Sequence, residues 1–166
     1  MEGAGRVYLS LVYPINTIKT VTVGLFEQLN FEVGVLFTHH GKNSHILLDF
    51  AEWNYLLQFI NHNSSPSFLC EEGEVRENKK IVKRTRLCIQ ITDSNKINFV
   101  FNQTDWTRFT DLQKLLSKYI VRLYYDQEHF KSYINQVVSE ERYVPPSFFP
   151  VLLSRRNQSS RSAANL

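Results

Sequence analysis

The sequence predicts an α+β fold: two repeated units, each an antiparallel β-hairpin or sheet followed by a helix, paired as a pseudo-dimer within one domain, with an extra C-terminal helix. Three observations predict it. Ile46-Leu47-Leu48-Asp49-Phe50-Ala51-Glu52-Trp53 and Phe99-Val100-Phe101-Asn102-Gln103-Thr104-Asp105-Trp106 share one pattern: three apolar residues, Asp or Asn, two spacers, an acid, then Trp. The only two tryptophans of the chain occupy that one place in it, a step of 53 residues from position 53 to position 106. In both copies the apolar period is two before the pattern and three to four after it, which reads as strand into helix.

Each element follows from local chemistry. The run 7–15 is apolar but too short to cross a bilayer, and no small-residue cleavage site marks it as a secretory signal, so a soluble intracellular chain is expected. An early strand is expected over 20–27. Val33, Val35 and Phe37 alternate along 32–38, Gly41-Lys42-Asn43-Ser44 makes the turn, and 45–48 returns. Asp49 is an N-cap whose side chain accepts free amide hydrogens of the first helical turn, and Glu52 three residues on completes a capping box. Trp53, Leu56, Leu57 and Ile60 then form one apolar helical face, stopped by Asn61-His62-Asn63-Ser64-Ser65-Pro66.

The second copy runs in parallel. An early strand is expected over 75–83. Leu87, Ile89 and Ile91 alternate, Asp93-Ser94-Asn95-Lys96 turns, and 97–101 returns. Asn102 is the cap, and Asp105 is a shorter imitation of the capping-box Glu. Phe109, Leu112, Leu116, Tyr119 and Leu123 step by three and four, a spacing that serves a helix–helix seam as well as a core. The turns differ by about one residue, so the outgoing strands match at an offset one longer. Repeat one covers about 17–64, repeat two about 72–125, and Phe130, Ile134 and Val137 mark a C-terminal helix over about 126–140. Together 1–144 form one duplicated domain. Pro145-Pro146 then ends regular structure, and 145–166 is an apolar segment with a basic, disordered tail.

The strand–cap–acid–Trp–helix segments resemble the DNA-binding core of the positive cofactor four family of transcriptional coactivators. The carrying residues are Leu48-Asp49-Phe50-Ala51-Glu52-Trp53-Asn54-Tyr55-Leu56 and Phe101-Asn102-Gln103-Thr104-Asp105-Trp106-Thr107-Arg108-Phe109. The family pattern has Pro after the cap, where this chain has Phe50 and Gln103. The resemblance implies curved antiparallel sheets that pair as a dimer and hold single-stranded DNA in grooves. A chain with two copies makes that pair internally. The resemblance also implies a role in replication or transcription and a nuclear location.

The residues offer candidates for such a site. Lys79-Lys80-Ile81-Val82-Lys83-Arg84-Thr85-Arg86 holds five cations and no acid. On a strand, Lys80, Arg84 and Arg86 share a face with Val82, and Lys79 and Lys83 share the other with Ile81. Such cations neutralise phosphates by releasing counterions; the alternative is a solvated strand edge that deters aggregation. The octet also matches a nuclear-import patch. Lys42 and Lys96 on the hairpin turns extend the basic set, and the first unit otherwise holds chiefly Lys19. Phe37, Tyr55, Trp53, Trp106, Phe99 and Phe101 are candidates to stack on bases, and core packing is the competing use of each. Glu71, Glu72, Glu74 and Glu77 precede the octet as an acidic loop. His39, His40 and His45 cluster near the first turn without the ligand set that zinc needs.

The net charge of +3 and pI near 8.9 point only weakly to an anionic partner. Cys70 and Cys88 make no disulfide framework and suit a reducing compartment. There is no Gly-rich phosphate loop, nucleophile elbow or metal-protease helix. The expectation is therefore a non-enzyme, without cofactor or membrane partner, that binds single-stranded DNA or RNA with little sequence preference. The C-terminal helix and tail would hold a homodimer or a larger replication or transcription complex. The rivals are a protein-interaction or structural module that kept the fold and lost the groove, and a regulatory subunit.

Overall fold

The computed structural model describes residues 5–63, 73–77 and 80–141. Strands β1 (Val7–Pro14), β2 (Lys19–Phe26), β3 (Glu32–His39) and β4 (Ser44–Asp49) form one antiparallel sheet in chain order, followed by helix α1 (Phe50–Asn63). Strands β5 (Gly73–Glu77), β6 (Lys80–Arg84), β7 (Cys88–Thr92) and β8 (Asn98–Asn102) form a second sheet in the same order, followed by α2 (Gln103–Glu141). The expected α+β class, with antiparallel sheets each leading into a helix, is what the structure has.

The strand pairs match between the halves. Val21 opposes Phe37 and Val82 opposes Ile91; Val23 opposes Val35 and Arg84 opposes Ile89. Phe37 opposes Ile46 as Ile91 opposes Phe99, and Val35 opposes Leu48 as Ile89 opposes Phe101. The steps are 61 for β2 to β6 (21 to 82), 54 for β3 to β7 (37 to 91) and 53 for β4 to β8 (46 to 99). The extra residue in the outgoing strand is the one the unequal turns imply.

Alternation sorts each sheet into two faces. On the inner face lie Val21, Val23, Leu25, Val33, Val35, Phe37, Ile46 and Leu48 of the first sheet, all buried. Val82, Ile89, Ile91, Phe99 and Phe101 line the inner face of the second. The two faces share one aromatic core. The Phe37 ring lies 5.2 Å from Phe99, 5.5 Å from Phe101 and 5.4 Å from Phe109. Trp53 of α1 meets Phe109 of α2 edge-on, and Phe59 of α1 meets Trp106 of α2 likewise. The sheets approach through β4 and β8.

Several elements differ from expectation. The apolar run 7–15 is β1, an edge strand that completes a four-stranded sheet and extends the first half upstream of residue 17. It is kinked at Leu9, which has a positive φ of 52° where the register with β2 shifts. Gly24 permits this: a Cβ there would meet Val7 Cγ2 at 2.6 Å. The single strand expected over 75–83 is two, β5 and β6, joined as an antiparallel pair. The basic octet does not run straight into 87–91 either, because Thr85 breaks it: its hydroxyl accepts the amides of Leu87 and Cys88 and turns the chain.

The separate helix expected over 126–140 is the continuation of α2. No helix breaker interrupts the apolar stepping, so the helix continues to Glu141. The chain divides into two compact units, Met1–Gln127 and Glu128–Leu166. Of the second unit Glu128–Glu141 is described; in it Val137 is buried and Lys131 pairs with Glu128 at 3.4 Å. The Pro-containing segment and basic tail of 145–166, with Cys70, Glu71, Glu72 and Lys79, lie outside the described residues.

Candidate nucleic-acid interface

Five of the six candidate stacking rings are interior, and Tyr55 of α1 is half-buried. Phe37 and Phe101 are 0% exposed, Phe99 1%, Trp53 1% and Trp106 4%, so none of these five presents a face to a base. Their physical role is the shared core. Large rings at the inner-face positions of β3 and β8, and at the first turn of each helix, bury more apolar area there than any surface contact returns.

The cations of β6 divide differently from expectation. Lys80, Val82 and Arg84 do share a face, but it is the inner one. Arg84 is 1% exposed, and Lys80 Nζ donates to Glu52 Oε2 at 2.6 Å. Arg86 lies past the strand end in the β6–β7 turn, exposed. Lys83 takes the outer face with Ile81. Lys42 and Lys96 are exposed on the β3–β4 and β7–β8 turns.

The outer face of the second sheet gathers a different polar set. Ile81, Thr92 and Asn98 form one cross-strand row, and Lys83, Gln90 and Val100 the next. Gln90 Nε2 donates to Thr92 Oγ1 at 3.3 Å, and Thr92 Oγ1 donates to Asn98 Oδ1 at 2.7 Å. Arg86 and Lys96 stand at opposite ends of β7, so cations bracket a face that mixes amides and hydroxyls with Ile81 and Val100, and Glu74 of β5 stands opposite Lys83. Sequence reasoning passed over Gln90, Thr92 and Asn98. Their signal was present as the polar half of the alternation whose apolar half is Ile89, Ile91, Phe99 and Phe101. On the first sheet the matching outer row is Thr20, Thr38 and His45, with His40 Nε2 3.0 Å from Thr20 Oγ1. His39 Nδ1 accepts the Lys42 amide.

Two ion pairs join the halves reciprocally. Lys80, which opens β6, pairs with Glu52 of the first capping box. Lys19, which opens β2, pairs with Asp105 of the second at 2.8 Å and also donates to the Val100 carbonyl at 2.7 Å. Asn16 Nδ2 donates to the other Asp105 oxygen at 2.8 Å. Burial pushes the Asp105 carboxyl upward, but hydrogen bonds from Lys19 and Asn16, with the Lys19 charge, outweigh it and hold the group below its ordinary value.

Beside Lys80 the surface opens into a cleft of about 330 Å³. Leu47 and Ile97 supply apolar wall, and Gln28, His45, Lys80 and the turn residues Asp93 to Asn95 supply polar groups. Asp93 Oδ1 accepts the amides of Asn95 and Ile97, both at 2.9 Å, which fixes that turn. Comparison of the chain with protein-family models, curated proteins and solved structures finds no match.

Proposed function

We propose that this chain binds single-stranded nucleic acid along the outer face of the second sheet, with little sequence preference over most of its length. We further read its two halves as copies of one unit paired as an internal pseudo-dimer, in the manner of the positive cofactor four family. The observation that carries the binding reading is the pair of outer rows that hold Lys83, Gln90, Thr92 and Asn98, bracketed by Arg86 and Lys96. Trp53, Phe59, Trp106 and Phe109 of the helices are buried on the inner side, while on the polar face Asn98 is exposed and Lys83, Gln90 and Thr92 are half-buried. Lys83 and the flanking cations would track phosphates, while amides and hydroxyls take sugar and base edges. No aromatic ring among the described residues lines these rows, so hydrogen bonding and charge replace stacking as the main terms. The matched strand registers and the reciprocal lysine–acid pairs support the pseudo-dimer reading.

The test is polarisation titration with labelled single- and double-stranded oligonucleotides at two salt concentrations. Single strands should bind more tightly, with affinity falling as salt rises. Lys83→Glu with Arg86→Glu should weaken binding and reduce the salt slope by roughly 1.4, two phosphate contacts at about 0.7 each. An unchanged slope in the double variant would remove this face from the reading.

A second reading, a protein-interaction module, draws on another surface. Leu9, Leu11 and Val12 are exposed on the edge strand β1, and Leu115, Val121, Tyr124 and Tyr125 are exposed on α2. Large exposed apolar side chains on an edge strand and a helix suit a protein partner. A flat titration at low salt favours this reading.

A further inference from the structure

The inner face of the first sheet is covered unevenly. Leu11 opposes Val23 and Tyr13 opposes Val21 across β1 and β2, so all four share that face. Val21 and Val23 are fully buried, whereas Leu11 is 38% exposed and Tyr13 is half-buried. Helix α2 flanks β1 here. Arg108 Nη1 donates to the Ile15 carbonyl at 3.1 Å, and the Tyr119 hydroxyl donates to the Leu9 carbonyl, so the helix runs along β1 in the opposite direction. Between strand and helix lies a groove of about 240 Å³. Leu11 and Tyr13 line one side of it, and Leu115, Lys118, Tyr119 and Arg122 line the other.

Backbone, charge and size together select the occupant. β1 is the edge of its sheet and pairs with β2 alone. The Ile15 amide donates to the Lys19 carbonyl, and ladder bonds recur at every second residue. Tyr13 and Leu11 therefore face β2 with their backbone, and Val12 turns its amide and carbonyl outward. Edge strands are commonly blunted by charge, yet Val7–Pro14 carries no charged side chain. The kink at Leu9 and the missing amide of Pro14 confine the open edge to the residues between them. Lys118 and Arg122 are exposed at the rim, and neither enters an ion pair among the described residues. No carboxylate lines the groove. Its volume lies below the roughly 300–1,000 Å³ of small-molecule sites, which suits single side chains inserted from a chain running along it.

Spacing joins these properties. Alternate side chains of a strand stand roughly 6.8 Å apart. Lys118 and Arg122, four residues apart on a helix, are separated by roughly 6 Å along its axis. Acids at alternate positions of an added strand therefore meet both cations. A strand added antiparallel to β1 runs with α2 and passes Leu115, which is 52% exposed, before Lys118 and Arg122. An apolar residue two positions before the first acid then covers it. A nucleic-acid strand would answer the cations but leave the outward amide of Val12 and the exposed leucines unused.

We infer that the groove between β1 and α2 docks an extended acidic segment of a protein partner, added as a further strand on β1, with the pattern apolar–x–acid–x–acid. Strand addition supplies affinity through the backbone, and the alternate side chains supply selectivity. The groove shares no residue with the proposed nucleic-acid face, so each stands or falls without the other, and the protein-interaction surface gains a ligand of defined chemistry.

Fluorescence polarisation of the full chain with the labelled peptide Thr-Val-Thr-Leu-Thr-Glu-Thr-Glu-Thr tests it. Binding should saturate and weaken as salt rises. A peptide of the same composition with the two acids adjacent should bind less tightly. Lys118→Glu with Arg122→Glu should lower affinity by roughly tenfold or more, since two attractions become repulsions. A peptide with Lys in place of both Glu should prefer that variant to the native chain. Val12→Pro removes an amide that the ladder to β2 does not use, and should abolish peptide binding in a protein still folded by circular dichroism. Absence of saturable binding to the native chain overturns the proposal. Equal affinity for alternating and adjacent acids overturns it as well, as does native affinity retained in Val12→Pro. A dimer seen in sedimentation velocity and lost in Val12→Pro, with no peptide bound, gives the groove to a second copy instead. Oligonucleotide affinity lost in the double Glu variant, again with no peptide bound, gives it to nucleic acid.

Discussion

Glu52 serves two partners and Asp105 three, and the one-methylene difference between them shows in the geometry. Glu52 uses Oε1 for the Asp49 amide at 3.0 Å and Oε2 for Lys80. Asp105 is too short to separate the tasks: Oδ2 takes Lys19 at 2.8 Å and the Asn102 amide at a stretched 3.4 Å. The capping boxes were legible because cap and acid are three residues apart in the chain. Their lysines were not, since 86 residues separate Lys19 from Asp105 and 28 separate Glu52 from Lys80. Lys19→Met leaves the buried Asp105 without its counter-charge, and urea unfolding at neutral pH should show a loss of about 3 kcal/mol. The gap has a definite pH dependence. In the native chain the folded carboxyl lies below its ordinary 3.8, so its stabilisation is full above that value and is lost as pH falls below it through the depressed folded value. In the variant burial is opposed only by Asn16 and the Asn102 amide, so the gap between the two proteins should be widest at neutral pH and shrink as the carboxyl is protonated in acid. A gap that stays constant down to acid unfolding would mean that the pair contributes packing rather than charge.

At the scale of elements, β6 shows what period-two reasoning delivers and where it stops. The division of Lys80, Val82 and Arg84 from Ile81 and Lys83 was legible, because alternation depends only on the pleat. Which side faces the core was not, because both faces carry cations and a lysine or arginine stem packs well against apolar neighbours. Burial on β7 and β8 decides it: Ile89, Ile91, Phe99 and Phe101 sit across from Val82 and Arg84 and draw that face inward. The same ambiguity put Phe37 and Phe99 among the ligand candidates, since a ring at an alternating position suits either face. Charge reversal along the strand should therefore split by parity. Lys83→Glu and Arg86→Glu should leave the melting temperature nearly unchanged, as surface changes do. Arg84→Glu places an uncompensated carboxylate at a 1% exposed position and should cost at least about 3 kcal/mol or abolish folding. Thermal melts of the three single variants check this. A stable Arg84→Glu protein would place β6 with its other face inward.

Across the whole molecule, the passage from sheet to helix in each half was legible in its punctuation, and the core was not. Strand, cap, acid and Trp recur because each is a local requirement for ending a strand and opening a helix. That Trp53 of the first half packs on Phe109 of the second, and Phe59 of the first on Trp106 of the second, follows only from the sheets meeting through β4 and β8. The consequence is cooperativity. The aromatic core is shared: Phe37 takes three of its ring contacts from the second half, and each capping box takes its lysine from the other. Removing one half strips the other of aromatic burial worth roughly 1.5–3 kcal/mol per ring and strands a buried carboxylate, a loss on the scale of a small domain's whole stability. The two tryptophans are built-in reporters, one on the first turn of each helix. Trp106→Phe leaves only Trp53 to follow unfolding, and Trp53→Phe leaves only Trp106. Compared with far-UV dichroism of the same protein, each single-Trp variant should unfold in urea with one midpoint shared by both signals. Two independently folding repeats would give a Trp midpoint apart from the dichroism midpoint, in opposite directions for the two variants. That outcome would break the link between the halves on which both the seam and its cleft depend.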